Sequence, residues 1–216
     1  MYFEYIPDDV FLGCIKEVVQ EYTRPVKKSS TIDDITKTMF DRHVIGSNAL
    51  EKFRLYVLKN QRINMALGRM HQKLIGHLAE CEDLGVGHVS KMDVYCQKLK
   101  AYIEIKNRSN TMNSDSKNSV IQKCKALVES QKADICYICM MHLERNHGDL
   151  DVPLQKHSDT RIRLVSGKKM YEILTGDPDA WMKLHNAIDR ALQTVCKDII
   201  KVNVNEIAEG VKDIKI

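Results

Sequence analysis

Ten residues separate Asp93 from the run Glu104-Ile105-Lys106, and those residue types at that spacing suggest phosphate chemistry. If 101–106 is a strand, its side chains alternate, so Glu104 and Lys106 share one face while Ile105 points into the core. A hairpin returning over that distance places Asp93 beside Glu104. Two carboxylates with an ammonium next to them form a hard-oxygen site suited to Mg²⁺. The cation would draw charge off a phosphodiester, and Lys106 would orient or deprotonate the attacking water. A surface hairpin with alternating charges fits the same spacing, so the neighbouring residues must decide.

The elements that would position this group are read from periodicity. Residues 8–22 put Val10, Phe11, Cys14, Ile15, Val18, Val19 and Tyr22 on one helical stripe after Pro7, with Asp8 as a candidate cap. A short helix is expected over 32–44, and another from Ser47 with Leu50, Phe53, Tyr56 and Val57 inward. A further stripe runs through Ile63, Leu67, Met70, Leu74, Ile75 and Leu78. The segment 81–87 carries two glycines and reads as a loop. Residues 92–96 and 101–106 flank the polar QKLK as a β-hairpin. A helix over 116–132, a buried strand over 134–143 and an irregular stretch over 144–160 follow. The strand IRLV at 162–165 leads to a helix opening near Gly167. Asp177-Pro178 marks the start of a last helix that buries Trp181, Leu184, Ile188, Leu192, Val195 and Ile199. This order predicts an α/β fold: a mixed sheet flanked by helices, with a helical N-terminal region.

The surroundings of the charged pair carry a resemblance. The run Ile103-Glu104-Ile105-Lys106-Asn107-Arg108-Ser109-Asn110-Thr111-Met112-Asn113-Ser114 resembles the active-site segment of a type II restriction endonuclease family. That family cuts GGNCC- and GGWCC-type DNA sites and belongs to the wider PD-(D/E)xK nuclease superfamily. Its Val/Ile-Glu-x-Lys-Asn strand runs into Asn-Thr-Met-Asn-Ser and a Ser-rich, Lys-bearing helix start, and each element is present here. Ser166-Gly167-Lys168-Lys169-Met170-Tyr171 and Thr175-Gly176-Asp177 are similar to the family's C-terminal segment. His71-Gln72, on the helix before the hairpin, is a weaker likeness. The resemblance covers about residues 60–190, and Met92 stands where the superfamily's namesake has Pro.

The resemblance implies a restriction-endonuclease-like fold and a single nuclease domain over 1–216. Within it, 1–60 would be a helical N-terminal part, 61–190 the catalytic core, and 191–216 the last helix end and tail. It implies Mg²⁺-dependent hydrolysis of double-stranded DNA to 5′-phosphate and 3′-hydroxyl ends. Asp93 and Glu104 would hold the metal, the Ile105 carbonyl would complete its shell, and Lys106 would serve the water. Gln72 would orient a metal-bound water or pair with backbone. Asn110, Asn113 and Ser114 sit where short polar side chains turn the chain and cap a helix, or reach a phosphate or base edge. Lys117, Lys123, Lys168 and Lys169 are phosphate-contact candidates. A palindromic site is read most economically by a two-fold homodimer. A cognate DNA methyltransferase would be the genetic partner in a cytoplasmic restriction–modification system.

Composition narrows the alternatives. A net charge of +4 is too small to imply nucleic acid, but its distribution is uneven. Residues 97–132 hold eight Lys/Arg against three acids, and 156–169 hold five against one, so both islands are expected to line one phosphate-facing surface. Seven cysteines at irregular spacing suggest reduced thiols. No apolar run reaches the roughly 18 residues of a membrane helix, and the first residues lack the layout of a signal peptide. Cys136 and Cys139, with His142 and His147 downstream, resemble a zinc arrangement. On one strand, however, the two thiols face opposite sides, so core thiols are expected. The rivals are a repair or junction nuclease, a non-catalytic DNA-binding module, and a zinc-dependent interaction protein.

Overall fold

Two apolar runs set the centre of the fold. The computed structural model describes residues 1–25, 47–108, 114–142, 149–154 and 159–197. Six strands form one sheet: β1 (Cys81–Asp83), β2 (Val94–Cys96), β3 (Ala101–Arg108), β4 (Ile135–His142), β5 (Asp151–Pro153) and β6 (Ile162–Ser166). Their spatial order is β1-β2-β3-β4-β6-β5. The central pairs β3–β4 and β4–β6 are parallel, and the outer pairs are antiparallel. The near-continuous apolar run of β4 is what a parallel strand buried on both faces requires.

Helices cover both faces. Five are described: α1 (Asp8–Thr23), α2 (Ser47–Gly76), α3 (Ser114–Glu129), α4 (Gly167–Thr175) and α5 (Ala180–Val195). On one face α1, α2, α4 and α5 pack Phe11, Leu74, Tyr171 and Leu184 against Ile103, Ile105, Cys139 and Val165. On the other, α3 packs Val120, Ile121, Cys124 and Val128 against Met92, Cys136, Ile138 and Met140. This mixed α/β arrangement with a helical N-terminus is the restriction-endonuclease-like fold that the resemblance implies. Helix α4 starts where the Ser166 hydroxyl accepts the Lys169 N–H at 3.2 Å, and it ends at Gly176 with φ +75°.

Several local expectations are corrected. Cys81–Asp83 opens the expected loop as a strand, and Asp151–Pro153 is a strand inside the stretch read as irregular. Three residues are too few to display a period of two. The two stripes after Ser47 are one helix of 30 residues, which runs through position 60. Its first half leaves Phe53 and Tyr56 40% and 57% exposed, while Met70, Leu74 and Ile75 are buried. Pro7, not Asp8, takes the α1 cap position, and the Asp8 carboxylate accepts the Tyr2 N–H at 2.6 Å. The last helix starts at Ala180, after Asp177 accepts the Asp179 N–H at 2.9 Å. Of its expected stripe Leu184 is buried, Trp181, Ile188 and Val195 pack half-buried against the same core, and Leu192 is exposed; Ala180, Ala187 and Ala191 complete the buried face. The segment 32–44 and Ile199 lie outside the described residues.

Cys136 and Cys139 sit in different cores on opposite faces of β4, so they cannot share one metal. His147 lies outside the described residues. Among the described residues no helix is long and apolar enough to cross a membrane.

Gly76 allows α2 to touch β1. A Cβ there would lie 2.6 Å from both the Cβ and the backbone N of Asp83. Gly76→Ala should therefore cost about 1–3 kcal/mol in urea unfolding. A variant as stable as the wild type would contradict this close approach.

Candidate active site

Strand pairing brings the two carboxylates together. Val94 pairs with Ile103, and the Asp93 N–H donates to the Ile103 carbonyl at 3.2 Å. Strand β2 begins at Val94, so β3 has no strand partner on that edge opposite Ile105. The Asp93 side chain takes the vacant role, and its Oδ2 accepts the Ile105 N–H at 2.7 Å. A carboxylate thus replaces a backbone acceptor at the end of the ladder, which turns Asp93 toward Glu104.

Glu104 and Lys106 share the face of β3 that α3 covers, while Ile105 enters the opposite core. The Lys106 ammonium donates to Glu104 Oε1 at 2.6 Å. Glu104 is only 5% exposed, so it is more deeply set than a surface hairpin allows. Burial is the main force on the half-buried Asp93 and pushes its carboxyl up to about 6. The negative charges of Glu104 and Asp83 push the same way, against the Ile105 N–H and the Lys106 ammonium.

Gln72 braces this edge. Its amide donates to Asp83 Oδ1 at 2.8 Å and points toward the Asp93 carbonyl at 3.5 Å. Its observed partners are therefore a carboxylate and a backbone carbonyl. Asp83 was hidden in the segment read as a loop. The Asp-x-Gly sequence was a usable signal, since Asp83 Oδ1 also accepts the Gly85 N–H at 2.9 Å in an Asx-type turn. The neighbouring His71 turns the other way. It is buried beside Tyr171 and Trp181, its ring stacked on the indole at 6.0 Å. Burial, helped by His142 and His185, lowers its pKa to about 3, so it stays neutral.

The candidate DNA contacts fall at different places. Asn110 and Asn113 lie outside the described residues, and Ser114 opens α3. Lys117 is exposed on the first half of α3. Lys123 donates to the Lys91 carbonyl at 3.4 Å and so braces the segment leading into Asp93. Lys168 pairs with Asp149 at 2.9 Å, and Lys169 pairs with Glu172. Arg161 and Arg163 are held by Asp159 and Asp151. The second basic island is thus largely neutralised by acids outside its sequence window. Nor do the islands share a face: α3 and α4 pack on opposite sides of the sheet. Both helices nevertheless start at the C-terminal edge of the parallel strands, the edge toward which Glu104 and Lys106 lie.

Comparison with known proteins gives this geometry a context. The profile of the Eco47II restriction endonuclease family matches residues 3–197. The chain belongs to that family. It is 27% identical over 223 residues to the type II restriction enzyme Eco47II of Escherichia coli, covering 90% of this chain and 88% of that protein. It is also 27% identical over 215 residues to the type II restriction enzyme Sau96I of Staphylococcus aureus, covering 88% and 80%.

Restriction endonucleases generally use divalent metal ions, and the donor set here fits one. No group of three His, Cys, Asp or Glu side chains converges on a metal position among the described residues. A small hard cation does not need one, because Mg²⁺ typically takes one or two carboxylates and fills its shell with water and phosphate oxygens. Asp93 and Glu104 would supply those carboxylates, and a bound cation would offset the burial and the like charge that raise the Asp93 carboxyl.

The direction of that shift gives a pH prediction. The Asp93 carboxyl binds its proton more tightly in the folded chain than in the unfolded one. Its ionisation therefore costs nothing below about pH 4 and destabilises the metal-free protein increasingly as pH rises to about 6. Above pH 6 the cost is full, on the order of 3 kcal/mol for a shift of this size. Asp93→Asn should raise the thermal midpoint of the metal-free protein at pH 7.5, with the gain shrinking toward pH 4. An equal or lower midpoint at pH 7.5 would count against the crowded pair.

Proposed function

We propose that the protein is a type II restriction endonuclease that hydrolyses double-stranded DNA at a short palindromic GGNCC- or GGWCC-like site. The observation that carries this reading is the Asp93 carboxylate bonded to the Ile105 N–H, which sets it beside the Glu104–Lys106 pair. In this reading the whole chain is one nuclease domain of the PD-(D/E)xK type. Asp93, Glu104 and the Ile105 carbonyl hold Mg²⁺, which draws charge off the scissile phosphodiester when bound. Lys106 orients the attacking water at the phosphorus, and Glu104 holds the ammonium in place meanwhile. Gln72 fixes the edge that carries Asp93. It acts through Asp83 and the backbone, a positioning role.

Substrate binding uses the edge where α3 and α4 begin. Ser114 and Lys117 stand at the α3 start, whose free N–H groups suit a phosphate. Asn110 and Asn113, with one amide each, suit base edges. Lys168 and Lys169 join the interface by exchanging a surface carboxylate for a phosphate, and Lys123 contributes by bracing. A palindrome calls for a homodimer in which each subunit cuts one strand. The host would carry a cognate DNA methyltransferase, and both proteins would work in the cytoplasm.

The test is digestion of a plasmid of known sequence with Mg²⁺, followed by end sequencing. Discrete fragments ending at one repeated site are expected. Cleavage without a fixed site would mark a repair or junction nuclease, and no cleavage would mark a binding module. Glu104→Ala and Lys106→Ala should each lower the rate by about a thousandfold or more, since each removes several kcal/mol of charge stabilisation. Asp93→Asn should cut no better, yet bind DNA as well as the wild type, because it removes a negative charge near phosphate. Mg²⁺ should raise the melting temperature of the wild type and leave that of Asp93→Asn unchanged.

A further inference from the structure

The connection between β1 and β2 is held firmly at both ends and exposes apolar side chains at its tip. At its start the Leu84 N–H donates to the Asp93 carbonyl at 3.0 Å, and Asp83 accepts from both Gly85 and Gln72. At its end the Lys91 N–H donates to the His88 carbonyl at 2.9 Å. The Ser90 N–H donates to His88 Nδ1, the Met92 N–H donates to the Ser90 hydroxyl, and Lys123 reaches the Lys91 carbonyl from α3. Met92 is buried in the core beneath α3. The segment 84–91 is therefore closed directly onto the backbone of Asp93.

Between these anchors Val86 is 105% exposed and Val89 88%, the two most exposed large apolar residues described. Single exposed apolar residues are ordinary. Two on one preorganised loop, hydrogen-bonded to the residue beside the cleavage site, call for a partner, because they add nothing to the core. Gly85 and Gly87 have φ of +65° and +91°, with open space where a Cβ would be. Their glycines therefore serve the loop's shape, not its packing. The segment 84–92 contains no carboxylate, and it carries His88 and Lys91. Nothing in it repels phosphate.

We propose that segment 84–91 is a DNA-contacting loop whose Val86 and Val89 side chains enter a groove of the duplex beside the scissile phosphate. The occupant is DNA because the loop is continuous with the phosphate-cleaving site and lacks acids. Grooves accept apolar side chains, either against a thymine methyl or as a wedge at a base step. The inference rests on the reading of Asp93, Glu104 and Lys106 as the cleavage site, and adds to it an element that grips the substrate.

The double variant Val86→Ser/Val89→Ser tests it, with Val86→Asp as a second variant and Glu104→Ala as the control. Four quantities are measured: thermal unfolding, cleavage of a plasmid of known sequence, affinity for that plasmid without divalent cation as salt is varied, and sedimentation. The serine variant should unfold like the wild type, since both side chains are already in water. It should bind and cut about tenfold less well, the scale of one lost base or methyl contact. Its slope of log affinity against log salt should not change, because an apolar contact releases no counterion. Val86→Asp should bind more weakly still. Wild-type binding and cleavage in both variants overturns the proposal. So does a loss of activity that accompanies dissociation of a dimer, which would assign the loop to a second copy of the chain. Should Glu104→Ala still cut, the cleavage-site reading itself fails. Where Glu104→Ala is inactive and the loop variants behave as wild type, only the loop inference falls.

Discussion

The hydrogen bond from the Ile105 N–H to the Asp93 carboxylate joins the sheet to the candidate site. Without it, the edge of β3 past Val94 would hold an unpaired donor in a partly buried place, which costs about 1–3 kcal/mol. With it, the end of the β2–β3 ladder and the placement of an acid become one feature. The rest follows from that edge. Strand β2 is only three residues long, so it must stop where it does. Gln72 and Asp83 secure the neighbouring backbone, and Gly76 brings α2 close enough for them to do so. Glu104 is fixed by β3 itself, where it pairs with Ile138 of β4 on the face covered by α3. One acid is thus held by a strand end and the other by a strand centre.

Burial of this group opposes stability and favours chemistry at the same time. The raised Asp93 carboxyl means that the folded chain keeps an acid where burial first, and the Glu104 charge second, oppose its ionisation. Two cores on opposite faces of the sheet supply the stability that offsets it, and both rely on ordinary apolar packing. Local inconsistency of this kind is expected at functional positions and is rare elsewhere. The His71 ring illustrates the contrast. It is a deeply buried titratable group among aromatic rings, and burial first, with His142 and His185, keeps it neutral.

Much of this was legible from the sequence, and the failures have physical reasons. The strand bearing Glu104 and Lys106 alternates, the strand after α3 is a near-continuous apolar run, and the helix at Gly167 carries a helical stripe. They were readable because each buries a face over at least five residues or opens with a clear cap. Strands β1 and β5 were not, since their pairing with distant segments decides them and three residues carry no pattern. The α5 stripe is legible for Leu184, Trp181, Ile188 and Val195, which all reach the core, whereas Leu192 stays exposed and the small Ala180, Ala187 and Ala191 fill the most buried positions. At the site, the Asp93–Glu104 pairing followed from hairpin register. The involvement of Asp83 did not, because it depends on a helix approach that only Gly76 permits.

Charge is where linear reading misleads most. Counting 156–169 alone gives a strongly basic island, yet Asp149, Asp151 and Glu172 lie just outside the window and meet Lys168, Arg163 and Lys169 in space. Such pairs near the surface are typically worth under about 1 kcal/mol. A phosphate with several released counterions can therefore displace the carboxylates at little cost. The pairs do not remove these cations from a DNA interface, but they do lower the field the free protein presents at a distance. In the proposed function, long-range attraction of DNA would then fall mainly to the first island, where Lys117 is exposed on α3. Steering toward the site and grip at the site would thus be served, in the proposed function, by different helices, on opposite faces of one sheet, that start at a common edge.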